Sequence, residues 1–384
     1  MVNRKEALDL HSKNPGKISV EPSVKVETKQ DLNLVYTPGV AEPCREISKD
    51  KEKAYDYTTK GNLVAVVSDG SAVLGMGDIG PEASMPVMEG KANLMKKFGD
   101  VDGFPICVEA DNAEDIINQT KALEPTFGAI NLEDIKAPLC FKVEEELKQS
   151  MDIPVFHDDQ HGTAIVVGAA LRNALEIADK DIEDSRIVIS GAGASGIAVA
   201  NFLLDMGAEE LVVTDSSGIL RTGDSNEYKA DLAKRTASKD EKGDLSDAMK
   251  DADVFIGLSA GGIVSEKMVE SMSDDPIIFA LANPDPEIMP DEANSGGAFI
   301  TATGRSDFDN QVNNSLAFPG VFRGALDVRA SDINEEMKQA AAEAIAEFIE
   351  PEKDRIVPET LNQELAMEIA ERVKQAARES GVAR

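Results

Sequence analysis

Cysteine is scarce in this chain of 384 residues: Cys44, Cys107 and Cys140 are odd in number, far apart and in no CxxC pattern. That argues against a disulfide framework and a cysteine-rich zinc site, and makes a reducing cytoplasm the expected compartment. Long apolar runs are missing too. None reaches the ~18 residues that a membrane helix needs, and the start, MVNRKEALDLHSKN, has no apolar stretch of the kind a secretory signal carries. Positive charge is the third shortage. Lys and Arg number 39 against 71 Asp and Glu, a formal net charge of −32, with the acids spread along the chain rather than gathered in a tail. Such a surface disfavours nucleic acid and anionic membranes as partners. It also loads the fold with self-repulsion that salt screens. A halophilic, salt-rich cytoplasm and an ordinary acidic protein both fit. A melt across potassium chloride concentrations separates them, since no gain in stability with salt excludes the first.

What is present is apolar content for real cores, 42% of residues, and a length that at roughly 100–200 residues per domain implies two domains or three. Residues 1–30 read as a polar, proline-containing lead. From residue 62, strand-like runs alternate with helical patterns: NLVAVVSD, SMPVMEGKANLMKKF, PICVEAD, AEDIINQTKAL, FGAINLED and PVFHDD, then the long helical run GTAIVVGAALRNALEIAD. A second series follows: RIVISGAGASG, GIAVANFLLDMG, ELVVTDSS, AMKDADVFIGLSA, PIIFALANP and AFITATG. This alternation predicts an α/β fold with parallel sheets covered by helices on both faces. Two amphipathic helices, about 332–349 and 362–380, close the chain, with Pro351 and Pro358 between them. The division expected is 1–161 and 162–384, with the helices of 332–384 packing back on the first part.

RIVISGAGASG is a strand opening into a GxGxxG turn made by Gly191, Gly193 and Gly196, with Ala194 and Ser195 between. Such glycines permit a tight turn, close approach of backbone to a pyrophosphate, and packing of helix on strand. ELVVTD then ends on Asp215, where an acid for a ribose hydroxyl is expected. A carboxylate there favours NAD. Ser216, Ser217 and Arg221 follow closely and could hold the 2′-phosphate of NADP, so both cofactors stay open.

Three strand-like runs of the first half end in acids: PICVEAD at Asp111, FGAIN before Glu133 and Asp134, and PVFH before Asp158 and Asp159. Ligands of open α/β sheets bind beyond the carboxyl ends of strands. If the last two strands are neighbours, Glu133, Asp134 and one of Asp158 and Asp159 converge. Three carboxylates in a cleft call for a cation, and oxygen ligands suit Mg²⁺ or Mn²⁺. Two other readings remain: zinc on His157 and His161, which needs a helix across Gly162, and acids that merely cap helices. Asp158 is the acid expected to stand behind the ligands rather than among them.

The ordered motifs YTPGVA (36–41), SDGSAVLGMGDIG (68–80), EGKA (89–92), NLEDI, FHDDQHGTA, ANP and QVNNSLAFPG closely resemble the small-subunit malic enzymes of bacteria and archaea, from about residue 10 to the C-terminus. The resemblance implies a malate- and metal-binding α/β catalytic domain, a Rossmann-type doubly wound NAD(P)-binding domain with C-terminal helices, and a homodimer or higher homo-oligomer. It implies oxidative decarboxylation of L-malate to pyruvate and CO₂ with NAD or NADP and a divalent cation. Carried over by motif, Tyr36 matches the family's general acid and Lys91 its general base. Glu133, Asp134 and Asp159 match the metal ligands, and Asn283 and Asn314 match residues at the substrate and nicotinamide end. The larger malic enzymes carry an arginine that grips substrate where this chain has Ala72, and Asp309 stands at a usual proline position. No phosphotransacetylase-like extension follows the last helix, so regulation through one is not expected. The rivals are a malate dehydrogenase or oxaloacetate decarboxylase performing half the cycle, and a dinucleotide-sensing protein without catalysis.

Overall fold

The computed structural model describes residues 3–73, 75–237, 241–360 and 362–384. The first apolar run, Leu63–Ser68, forms β1, in which Val64, Ala65, Val66 and Val67 are all fully buried. An unbroken apolar strand of this kind needs cover on both faces, which a parallel sheet with helices supplies. β2 (Asp102–Cys107), β3 (Ala129–Leu132) and β4 (Val155–His157) complete a parallel sheet of order β2-β1-β3-β4. β3 and β4 pair directly, Leu132 beside His157, so the residues that follow them leave the sheet side by side. β2 lies at the opposite edge and ends before Asp111, which is exposed and out of reach of the other acids.

The second sheet contains β5 (Arg186–Ser190), β6 (Glu210–Asp215), β7 (Gly218–Ile219), β8 (Val254–Gly257), β9 (Ile277–Ala280) and β10 (Ile300–Thr303), in the order β10-β9-β8-β5-β6-β7. The chain winds one way from β5 to β6 and the other way to β8, which opens a crevice at their carboxyl ends. β7 is antiparallel to β6, a short return that the expected all-parallel sheet did not include.

The helix Thr163–Ala178 joins the two sheets and is buried along most of its length. Its Asn173 donates to the carbonyls of Ala346 (3.0 Å) and Ile356 (2.9 Å), tying it to the C-terminal region. Helices Phe318–Asp327 and Gln363–Glu379 pack on each other and on Pro81–Gly99, the helix that carries Lys91. The chain's last helices thus return to the first sheet.

Two stretches fold differently from the sequence reading. Residues 137–150, not assigned to any element, form the helix Leu139–Ser150. Part of the polar lead is helical, in Arg4–Lys13, and Lys29–Val35 follows it. Thr28 and Asp31 close a capping box at the second of these, a signature present in the sequence as Thr-x-x-Asp. Neither helix buries a single residue, and Leu32, Leu34, Val35 and Tyr36 stand exposed.

Candidate active site

β3 and β4 each run out into two acids. After β3 the backbone turns left-handed at Asp134 (φ 55°), a conformation uncommon for residues other than Gly, Asn and Asp. Two hydrogen bonds hold it there: the Asp134 amide donates to Asp159 Oδ2 at 2.7 Å, and the Ala72 amide donates to the Asp134 carbonyl at 2.9 Å. After β4 the chain makes one wide π-helical turn, Asp158–Gly162, before the long helix. A Cβ on Gly162 would sit 1.8 Å from Asp158 Oδ1, so a side chain there would displace the Asp158 carboxylate that faces Lys91.

The result is a convergence of Glu133, Asp134 and Asp159, one oxygen of each lying within 4.8 Å of the others. Asp158 faces Lys91 instead. Lys91 Nζ pairs with Asp158 and, at 3.0 Å, with Glu133, and lies 4.7 Å from the centre of the Phe318 ring. Burial alone would lower the Lys91 ammonium, but Asp158, Glu133 and Asp159 outweigh it and hold its pKa well above the usual lysine range. The acids move up as well. Burial, then the repulsion of Asp159, lifts Glu133 to about 7 against the pull of Lys91, and burial with the charges of Asp159 and Glu133 lifts Asp134 to about 8. Asp158 is raised to about 7, chiefly by burial.

This cluster is short of positive charge. Four carboxylates surround one ammonium, and Asp134 Oδ2 is buried without a partner. A hard divalent cation fits that deficit and that all-oxygen donor set. Protons and a cation compete for the same oxygens, so Mn²⁺ binding should weaken as pH falls from 8 to 6 and release protons where it occurs. The sign for stability is opposite. Folded pKa values above the unfolded ones mean that the folded chain binds more protons, so without metal it gains stability as pH falls from about 8 toward 5. A calorimetric titration and a melt of chelator-treated protein, both across this range, check the two directions; a melting temperature that rises from pH 6 to 8 contradicts the second.

The histidines are not arranged as a zinc pair. His161 Nε2 is 2.7 Å from Glu144 and its Nδ1 is 3.2 Å from Lys338 Nζ. An ammonium can only donate, so Nδ1 accepts and Nε2 carries the hydrogen that Glu144 accepts; both nitrogens are committed. His157 is fully buried, and desolvation lowers its pKa to about 4, which keeps the ring neutral.

The dinucleotide turn lies across the cleft. A Cβ on Gly191 (φ 113°) would meet the Leu258 carbonyl at 2.4 Å, and one on Gly196 the Gly191 carbonyl at 1.8 Å, so neither tolerates a side chain, whereas Gly193 faces open space. A cavity of about 780 Å³ opens there, lined among others by Gly191, Ala192, Gly193, Asp215, Lys229 and Ala137. Ser195 does not offer its hydroxyl to the cavity; it donates to the Asp159 carbonyl at 2.9 Å. Asp215 binds Lys229 at 2.5 Å and the Ser217 amide at 2.7 Å. Burial would raise its carboxyl, but these partners prevail and hold it below the ordinary value. Arg221 is exposed and outside the cavity wall, so the cation beside Asp215 is Lys229, fourteen residues along the chain, which the sequence reading missed.

Asn283 is half-buried after β9, where its Nδ2 donates to the Leu281 carbonyl at 3.3 Å. Gly75 reaches that corner, for a Cβ on it would stand 3.7 Å from the Asn283 carbonyl oxygen. Asn314 packs on the π-turn, its Cβ 3.2 Å from where a Gly162 side chain would begin. Tyr36 is the exception among the motif residues. It is 67% exposed, and its hydroxyl has no hydrogen-bond partner among the described residues.

Comparison with known proteins bears on this arrangement. The family profile for the malic enzyme N-terminal domain matches residues 15–120, and that for the malic enzyme NAD binding domain matches residues 160–378. The bifunctional malic/malolactic enzyme of Bacillus subtilis is 53% identical over 99% of this chain and 94% of its own. The NADP-dependent malic enzyme of Halomonas elongata is 49% identical over 99% and 95%. Among solved structures, the NAD-dependent malic enzyme of Thermotoga maritima superposes with a TM-score of 0.94 at 49% identity, over 97% of this chain and 99% of that one. The malic enzyme of Pyrococcus horikoshii gives 0.95 at 48%, over 99% and 92%.

Proposed function

Because this chain belongs to the malic enzyme family, we propose that it oxidises and decarboxylates L-malate to pyruvate and CO₂, reducing NAD or NADP, with a divalent cation at Glu133, Asp134 and Asp159. One observation carries the site assignment. The Ser195–Asp159 hydrogen bond sets the dinucleotide turn directly against the acid cluster, so a hydride acceptor and a cation-binding group share one cleft. Residues 1–161 then act as the malate- and metal-binding part and 162–384 as the dinucleotide-binding part.

Lys91 takes the C2 hydroxyl proton of malate, and a nicotinamide held from the turn of Gly191, Gly193 and Gly196 would accept the hydride that leaves C2. Only a neutral lysine can take that proton. Two of the three acids that raise Lys91, Glu133 and Asp159, are also cation ligands in this reading, so a cation that offsets their charge would bring Lys91 down, while Asp158 continues to hold it up. The carbon–carbon bond from C3 to its carboxylate then breaks, CO₂ leaves, and the electron pair forms an enolate. Tyr36 gives a proton to C3 to yield pyruvate. The cation supplies Lewis-acid polarisation of the C2 oxygen and stabilises the enolate charge. Asn283 and Asn314 hold the substrate and the nicotinamide end, and with Ala72 in place of an arginine they carry more of the carboxylate's recognition.

Tyr36 needs cover before it can act as an acid. Exposed apolar residues surround it, Leu32, Leu34, Val35 and Val40, on helices that bury nothing in their own chain. A second copy of the chain that packs on this face would bury them and carry Tyr36 into the neighbouring cleft.

An initial-rate assay with L-malate, Mn²⁺ or Mg²⁺ and NAD or NADP tests the reading. Equal amounts of reduced cofactor and pyruvate, abolished by a chelator, support it. Reduced cofactor with oxaloacetate and no pyruvate defeats it in favour of a simple dehydrogenase. Asp215 repels a 2′-phosphate, so Asp215→Ser should raise kcat/KM for NADP relative to NAD by about tenfold, equivalent to ~1.4 kcal/mol. An unchanged ratio would remove Asp215 from cofactor choice.

A further inference from the structure

Five residues, Asp158–Gly162, carry Asp159 into the acid cluster, yet the Asp159 carboxylate has little of its own to aim it. Its Oδ2 accepts one amide, that of Asp134. Its direction is therefore set by the backbone of the π-turn, a form rare in proteins and sustained only with support. Ser195 holds the turn at the Asp159 carbonyl (2.9 Å), and a buried side chain outside the turn holds it at three further points. Glu144, on the helix Leu139–Ser150, accepts the His157 amide (3.2 Å) and His161 Nε2 (2.7 Å) on Oε1, and Gln160 Nε2 (3.0 Å) on Oε2. Residues on both sides of Asp159 thus hang from a single carboxylate. Lys338, buried on the helix Glu335–Glu347, closes the far side by donating to His161 Nδ1 while it pairs with Glu335.

We propose that Glu144 is a positioning residue for the divalent cation: through His157, Gln160 and His161 it holds the π-turn in the one shape that brings Asp159 to Glu133 and Asp134. This rests on the assignment of those three acids as cation ligands. It gives His161 of FHDDQHGTA a role through its ring and His157 one through its backbone amide; the His157 ring stands beside the cluster, its Nε2 3.9 Å from Asp159 Oδ2. Partners placed one layer behind metal ligands commonly set metal affinity.

The test is calorimetric titration of Mn²⁺ into the full-length, chelator-treated protein, in enough potassium chloride to screen the surface acids. Glu144→Gln keeps the side chain's shape but replaces one acceptor oxygen with a donor that faces either Gln160 or the His157 amide and His161. It should weaken Mn²⁺ binding about 10–100-fold, the usual cost of losing such a partner, while NAD binds within about twofold of wild type. His161→Leu, which cannot donate to Glu144 and so removes one of the three links, should give a smaller loss in the same direction and serves if the first variant does not fold. A folded Glu144→Gln protein that melts earlier yet binds Mn²⁺ as tightly as wild type overturns the proposal, since Glu144 would then be a structural clamp alone. So does an unchanged Mn²⁺ affinity in His161→Leu where Glu144→Gln cannot be obtained. Asp159→Asn separates the layers: wild-type Mn²⁺ binding in that variant means that the ligand assignment itself has failed.

Discussion

Lys91→Ala should lower the rate of malate oxidation by about 10²–10⁴-fold, the usual worth of a positioned general base, while NAD binds within about twofold of wild type. The separation follows from the geometry. Lys91 lies in the acid cluster with Asp158 and Glu133, and the cavity beside the glycine turn, proposed for the dinucleotide, is walled by other residues. Loss of the ammonium leaves buried carboxylates without their cationic partner, which in general costs about 3–5 kcal/mol. Here Glu133 and Asp158 already sit near pKa 7 and can take up protons, which limits the damage. Lys91→Arg is the sharper variant. It preserves the positive charge but cannot give up its proton near neutral pH. A base role requires Lys91→Arg to be nearly as inactive as Lys91→Ala; substantial activity in the arginine variant would reduce Lys91 to an electrostatic partner of the acids.

Much of this site was legible because its chemistry is written in contiguous stretches at strand ends. Glu133, Asp134 and Asp159 follow two apolar runs, and a parallel sheet has to deliver strand ends to the same side; only the adjacency of β3 and β4 had to be supplied by the fold. The glycine turn was legible for the same reason, since its close contacts are made with neighbouring loops at the sheet's carboxyl edge. Residues that act across long sequence separations were not. Glu144 lies in the stretch 137–150, which the sequence reading left unassigned, and only folding shows it turned inward toward His157, Gln160 and His161. Lys338, buried against His161 from the C-terminal helix, carries no local signal at all. Lys229 was passed over for Arg221 because proximity in sequence stood in for proximity in space; the helix Glu227–Arg235 swings Lys229 back onto Asp215. The long helix begins where Gly162 marks it, at Thr163; what the sequence did not show is the π-turn Asp158–Gly162 that precedes it.

Tyr36→Phe and Lys91→Ala, each inactive as a pure protein, should regain activity when combined in one dimer. If Tyr36 serves the cleft of the neighbouring subunit, a mixed dimer pairs the intact Lys91 of one chain with the intact Tyr36 of the other. One site is then complete and the other doubly defective, so about half of the sites recover, as the two-fold symmetry of such an interface requires. If Tyr36 serves its own chain, each site keeps one defect and mixing restores nothing. The exposure of Tyr36 favours the first outcome. Its ring is 67% exposed and its hydroxyl unbonded among the described residues, whereas a proton donor to an enolate has to be held in a cleft closed to water. Co-expression with two affinity tags, sequential purification of the mixed dimer, and the malate assay decide between the two. The acid role is checked on Tyr36→Phe alone. Reduction of oxaloacetate does not need C3 to be protonated, so that partial reaction should survive better than pyruvate formation. Equal loss of both would move Tyr36 from proton donor to a residue that merely shapes the interface.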